Sequence, residues 1–144
     1  MAKLTLKQAN TIIEGALAKA REMKVKPLGV VVLDASGHLV AAAREDTASM
    51  FRLDVATGKA WGAVAMGDSS RSLATRAKDN PNFFVTLAAT AGGKFLPQTG
   101  AALIKDANGE ILGAAGASGG TGDEDEACCI AGIKKAGLAS VPDA

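Results

Sequence analysis

Apolar residues recur at spacings of three and four near the start of the chain: Ala9, Ile12, Ile13, Ala16, Leu17, Ala20 and Met23, with Lys7, Gln8, Asn10, Glu14, Lys19 and Arg21 between them. That period predicts an amphipathic helix over about 5–24. Thr5 opens it with Gln8 three residues on, a reciprocal capping pair that satisfies two first-turn donors. Pro27 bars its continuation. The period then changes. Residues 28–33 are continuously apolar or glycine, with three consecutive valines, the pattern of a strand buried on both faces. Asp34-Ala35-Ser36-Gly37 has turn chemistry, since Asp accepts from the backbone ahead of it and Gly takes a positive φ. Residues 38–43 return as the partner strand of a hairpin. Helical spacing resumes over about 48–77, with a break at Gly67 and a new N-cap at Asp68. A further short helix is expected over 81–87. Residues 91–100 read as loop, with a short edge strand at Phe95-Leu96.

The second half repeats the first. Residues 101–104 are apolar, Asp106-Ala107-Asn108-Gly109 is a turn, 110–117 return, and a helix follows over about 122–138. The turns align at an offset of 72 residues, and beyond them Leu39 pairs with Ile111, Val40 with Leu112, and Ala42-Ala43 with Ala114-Ala115. Duplication of a helix–hairpin–helix unit and convergence on a favourable turn both produce this match. Two hairpins with helices between and after them predict an α+β domain, one antiparallel sheet carrying helices. The connections within the hairpins are too short for parallel crossovers, which disfavours a Rossmann sheet.

Composition narrows the function classes. A length of 144 residues fits a single domain spanning 1–144. Sixteen Lys plus Arg nearly cancel fifteen Asp plus Glu, leaving a formal charge of +1, so no basic footprint for nucleic acid is present. Aromatics are 3% and tyrosine is absent, which removes the stacking platforms that single strands require. Thirty alanines and seventeen glycines mean that the core relies on aliphatic side chains and closely approaching backbones. No run nears the 18 apolar residues of a membrane span. The opening Met1-Ala2-Lys3-Leu4 leads into the polar-interrupted helix, so no secretory signal is expected. Cys128 and Cys129 are sequence neighbours and cannot form a disulfide framework. A reduced, cytoplasmic setting follows as the expectation.

Several residues could carry chemistry. The stretch from Gly113 to Gly122 leaves a strand and enters a helix, the context in which backbone N–H groups bind anions. It lacks a Walker lysine and the G-x-G-x-x-G phase, and the acidic run Asp123-Glu124-Asp125-Glu126 opposes a phosphate. Arg44-Glu45-Asp46 follows the second strand, where charges form either a site or a solvated exit. Lys59 lies among small residues that would let a ligand approach. His38, the only histidine, abuts a turn, and no nucleophile elbow accompanies it. One imidazole and two adjacent thiols supply no zinc site, so no metal is expected.

Arg44-Glu45-Asp46-Thr47-Ala48, Lys59-Ala60-Trp61, the run from Gly113 to Thr121, and Asp125-Glu126-Ala127-Cys128 resemble, in order, the motifs of the haem-binding GlcG/HbpS-like family, which also supplies the C-terminal domain of some corrinoid adenosyltransferases. The resemblance covers nearly the whole chain. It implies a profilin-like α+β fold, a homo-oligomer (a dimer or a larger closed assembly), and binding of haem or another small molecule. Carried over onto this sequence, it implies a ligand pocket formed by Arg44, Asp46, Lys59, Gly119, Gly120, Thr121 and Asp125. Two other readings stay open: an enzyme in which Arg44 holds a carboxylate and Asp46 or Asp125 acts as base, and a structural oligomerisation module. The chain departs from the family by having no histidine on its first helix, where some haem-binding members carry one.

Overall fold

The computed structural model describes residues 3–143, so Met1 and Ala2 of the expected N-terminus and the terminal Ala144 lie outside the described residues. Helix α1 (Leu6–Glu22) begins where the capping pair places it. The Thr5 hydroxyl accepts from Gln8 N, and Gln8 Oε1 accepts from Thr5 N, both at 3.0 Å. Strands β1 (Gly29–Asp34) and β2 (Leu39–Arg44) make the first hairpin. Helices α2 (Phe51–Met66), α3 (Ser70–Asp79) and α4 (Pro81–Thr90) follow. The second hairpin is β3 (Ala101–Lys105) and β4 (Ile111–Ser118), then α5 (Gly122–Lys135) and a last strand, β5 (Ala139–Val141). The strands form one antiparallel sheet in the order β2-β1-β4-β3-β5. The fold is α+β, as the element pattern predicts.

The repeat holds pair by pair. Val30↔Ala43 and Val31↔Ala42 in the first hairpin become Ala102↔Ala115 and Leu103↔Ala114 in the second, each residue shifted by 72. The register irregularity after Val32 recurs after Ile104. Both turns are built from the same bonds. Asp34 Oδ1 accepts from Ser36 N and His38 N, and Asp106 Oδ1 accepts from Asn108 N and Glu110 N. Gly37 and Gly109 both stand at φ +81°. The hairpins lie side by side in the same orientation, with β1 against β4.

Alternation along the strands sends one set of side chains to each face. Val30, Val32, Ala102, Ile104, Ala115 and Ala117 meet α1 and α5, whereas Val31, Leu33, Leu103 and Ala114 meet Ala56, Ala60 and Ala63 of α2. The small residues let helix backbones come close. A Cβ on Gly132 of α5 would strike the Ile12 carbonyl of α1, and one on Gly116 of β4 would strike the Ala56 carbonyl of α2. Much of the small surface of β4 is therefore filled from within the chain. No helix among the described residues is long and apolar enough to cross a membrane.

Four local expectations are corrected. The N-cap of α3 is Ser69, whose hydroxyl accepts from Ser72 N, and Asp68 instead accepts from Ser69 N and the Ser72 hydroxyl. Helix α4 runs on to Thr90, because Ala88 and Ala89 continue it. Phe95-Leu96 is not a strand: Phe95 stacks on Phe84 at 5.8 Å and lies against Gly62. Helix α5 stops at Lys135 rather than 138, since Gly137 turns the chain at φ +77° and frees residues 139–141 to pair with β3.

Candidate functional site

Helix α2 and the β4–α5 connection bring Lys59 and Asp125 together. Lys59 is 6% exposed and Asp125 1%. Lys59 Nζ donates to Asp125 Oδ2 at 3.2 Å and to the Ala117 carbonyl at 3.1 Å. Asp125 Oδ1 accepts from Gly120 N at 2.9 Å, which ties the glycine loop to the helix that follows it. Burial raises the Asp125 pKa above the ordinary carboxylate value, against the opposing pull of Lys59 and the Gly120 N–H. Thr121 caps α5: its hydroxyl accepts from Glu124 N, and Glu124 Oε1 accepts from Thr121 N. The acidic first turn of α5 does not stand unpaired. Arg71 of α3 donates through Nε to Glu126 at 3.1 Å and through Nη2 to both Glu126 and Asp123.

Lys59, Gly120, Thr121, Asp123 and Asp125 line a cleft of about 580 Å³ at the N-terminus of α5. Arg52, two turns before Lys59 on α2, joins them. It donates to the Ser118 hydroxyl at 2.9 Å. Its Nε is buried and has no hydrogen-bond partner among the described residues. A buried donor left unpaired costs the desolvation of that group, and a ligand acceptor would satisfy it. Periodicity marks Arg52 only as lying on the same flank of the helix as Lys59, so the motif reading missed both Arg52 and Ser118.

The seven residues named from sequence fall into two groups. Lys59, Gly120, Thr121 and Asp125 line this cleft. Arg44 and Asp46 line a second cleft of about 400 Å³ with Arg21 and Pro27. There Arg44 donates to the Ala48 carbonyl at 2.6 Å, and Glu45 accepts from Leu28 N at 2.8 Å and pairs with Arg21 at 3.1 Å. Gly119 lies between the groups, against the Pro27 carbonyl. In the sheet, Gly29 pairs with Arg44 on one side and Ser118 on the other. The two clefts thus sit at one end of the sheet, about 10 Å apart by strand spacing, with the start of β1 between them.

Solved structures share this architecture. A PduOC:Heme complex is 24% identical, covering 95% of this chain and 97% of its own, with a TM-score of 0.84. A double mutant of HbpS from Streptomyces reticuli is 26% identical, covering 93% and 87%, with a TM-score of 0.80. Protein ORFY of Klebsiella pneumoniae is 22% identical, covering 95% and 93%, with a TM-score of 0.84. Comparison with curated proteins gives no match. Residues 4–134 match the family described as haem degrading protein HbpS-like, and the chain belongs to that family.

Proposed function

We propose that this HbpS-like protein binds haem or another small carboxylate-bearing molecule, as a binding protein rather than an enzyme. The observation that carries the reading is Arg52 Nε, a buried donor without an acceptor among the described residues, in a cleft of about 580 Å³. A ligand carboxylate would supply that acceptor through a charge-assisted bond. Asp125, the residue most suited to act as a base, is engaged by Lys59 and Gly120, which favours binding over turnover. Arg44 and Asp46 belong to the neighbouring cleft and would contribute only to a ligand that reaches across the start of β1.

A heme complex of a relative and the family description support haem as a ligand. The α5 cleft fits the carboxylates of haem and not its iron. Lys59 and Asp125 hold each other, and the Thr121 hydroxyl is engaged by Glu124 N. Burial pushes the Cys128 thiol up to about 11 and Cys129 higher still, so both stay protonated at neutral pH. Two buried free thiols suit a reducing cytoplasmic compartment. We assign the chain a homo-oligomeric state as well, because β2 is an edge strand without proline and with a single charge.

The test is a haem titration followed by the Soret band, run beside thermal melts with small mono- and dicarboxylates. The expected result is a Soret shift at micromolar haem, with carboxylate stabilisation that Arg52→Gln weakens about tenfold or more, the worth of a charge-assisted hydrogen bond. A chain that neither shifts the band nor gains stability from carboxylates overturns the reading.

A further inference from the structure

On the other flank of α2 lies a larger cleft of about 750 Å³, separated from the α5 cleft by Leu96, which lines both. The turn between β1 and β2 forms one wall and the Trp61 face of α2 the other. The turn rests on the indole: a Cβ on Gly37 would stand 3.1 Å from Trp61 Nε1. Apolar surface comes from Leu39, Trp61 and Leu96. Leu39 is 64% exposed, a large apolar side chain left open at the rim. Lys94 enters from the loop after α4, with Nζ 5.9 Å from the Trp61 ring centroid.

His38 stands at the mouth. Its side chain is 80% exposed, and Nδ1 faces Asp34 Oδ2 at 4.0 Å. That separation is a charge contact rather than a hydrogen bond, so the exposed imidazole keeps a ring nitrogen unpaired and can turn it towards a metal. Among the described residues, Nε2 has no hydrogen-bond partner. The cleft therefore offers apolar side chains for a flat aromatic body, an indole whose face is opened when the overlying Lys94 ammonium swings to an acidic substituent, and an imidazole nitrogen for a metal. Its volume lies in the range of sites that hold ligands of this size.

We propose that haem binds in this cleft with His38 Nε2 as the iron ligand, Trp61 against the macrocycle and Lys94 at a propionate. The inference rests on the haem part of the function proposed above. It gives haem a place separate from the cleft of the motif residues, which then remains for small carboxylates.

The experiment titrates the purified full chain and its His38→Ala, Trp61→Leu and Arg52→Gln variants with haemin. It follows the Soret and visible bands together with fluorescence of Trp61, the only tryptophan. His38 is exposed, so His38→Ala should keep the fold, and circular dichroism checks this. In the wild-type chain the spectrum of an imidazole-ligated iron is expected, with quenching of Trp61. His38→Ala should lose that spectrum and bind about tenfold more weakly or worse, while Trp61→Leu weakens binding and keeps the ligation spectrum. An unchanged spectrum in His38→Ala overturns this inference and leaves haem binding standing. Loss of binding in Arg52→Gln alone moves haem to the α5 cleft and likewise overturns it. No spectral change in the wild-type chain removes haem altogether.

Discussion

Lys59 and Asp125 face each other at 3.2 Å in a buried setting, and each has one backbone group as its other partner. Removing one member of such a pair leaves a buried, uncompensated charge, at a cost of about 3–5 kcal/mol. Lys59→Met should therefore lower stability by roughly that amount in denaturant titrations, and the loss should depend on pH. Burial already raises the Asp125 pKa in the folded chain, and without the ammonium it rises further. A carboxyl with a raised folded-state pKa stabilises the fold below its unfolded pKa, and the contribution is lost as pH rises through the folded value. The deficit of Lys59→Met should be larger at about pH 8 than at about pH 5; a pH-independent deficit would contradict the assignment. The thiols give a second case on the alkaline side. The Cys128 pKa is raised from 9.0 to about 11, chiefly by burial, and Cys129 shifts in the same direction. The folded chain thus keeps protons that the unfolded chain releases between about pH 9 and 11. Stability should fall across that window, by about 2–3 kcal/mol for Cys128 alone. A thiol reagent should modify neither cysteine in the native chain at neutral pH and both in denaturant. A native-state reaction would show that the helix α5 interface opens.

The elements show why some of the structure was legible in the sequence and some was not. Each hairpin turn is organised by one aspartate accepting two backbone N–H groups, a local device visible in four residues. Asp34→Ala and Asp106→Ala should each cost about 1–2 kcal/mol, the scale of hydrogen bonds to a charged acceptor. They should do so nearly equally and additively, because the turns lie on separate hairpins; a ratio of midpoint shifts far from one would mean that the repeat is not energetic. The Thr5–Gln8 capping pair and the buried β1 are readable for the same reason, since each is encoded by neighbours in sequence, and the 72-residue offset is readable because the two turns carry the same local signature. What failed is set by tertiary contact. The segment of β5 has no alternation of its own and becomes a strand because β3 has an open edge, Leu103 pairing with Val141. Phe95-Leu96 has no strand partner and is held by Gly58, Gly62 and Phe84. In the site, the motif pattern reached Lys59, Gly120, Thr121 and Asp125, whose bonds to one another or to their own loop leave a sequence signature. It did not separate Arg44 and Asp46, which the start of β1 divides from the rest. Arg52 escaped because only the finished packing of α2 on β4 leaves its Nε buried and unpaired.

At the scale of the whole molecule, the open feature is β2. It is an edge strand of six residues, Leu39 to Arg44, with no proline and one charge, at its last position. Such an edge presents a row of unpaired backbone groups, and proteins that remain single chains protect edges with charges, proline or a covering element. Here Ala41, Ala42 and Ala43 leave the backbone accessible. Met50, which is 80% exposed, and Phe51 stand beyond the same strand on the way into α2. β4 carries equally small residues, but α2 is packed directly onto it. The composition alone does not distinguish the two strands; their places in the sheet do. Antiparallel pairing of β2 with β2 of a second copy would bury both edges and close the assembly about a two-fold axis, the commonest symmetry of soluble oligomers. Light scattering should then give a mass of at least twice the 14.4 kDa of one chain, persisting on dilution through the micromolar range. Ala42 faces solvent in the single chain, so Ala42→Lys leaves the fold intact and puts a like charge on each of the two edges that would pair. Because a lysine on each edge opposes edge-to-edge pairing whatever the register, that variant should shift the mass towards one chain. A single-chain mass for the wild-type protein rules out self-association, and a multimer that Ala42→Lys leaves unchanged places the contact away from β2.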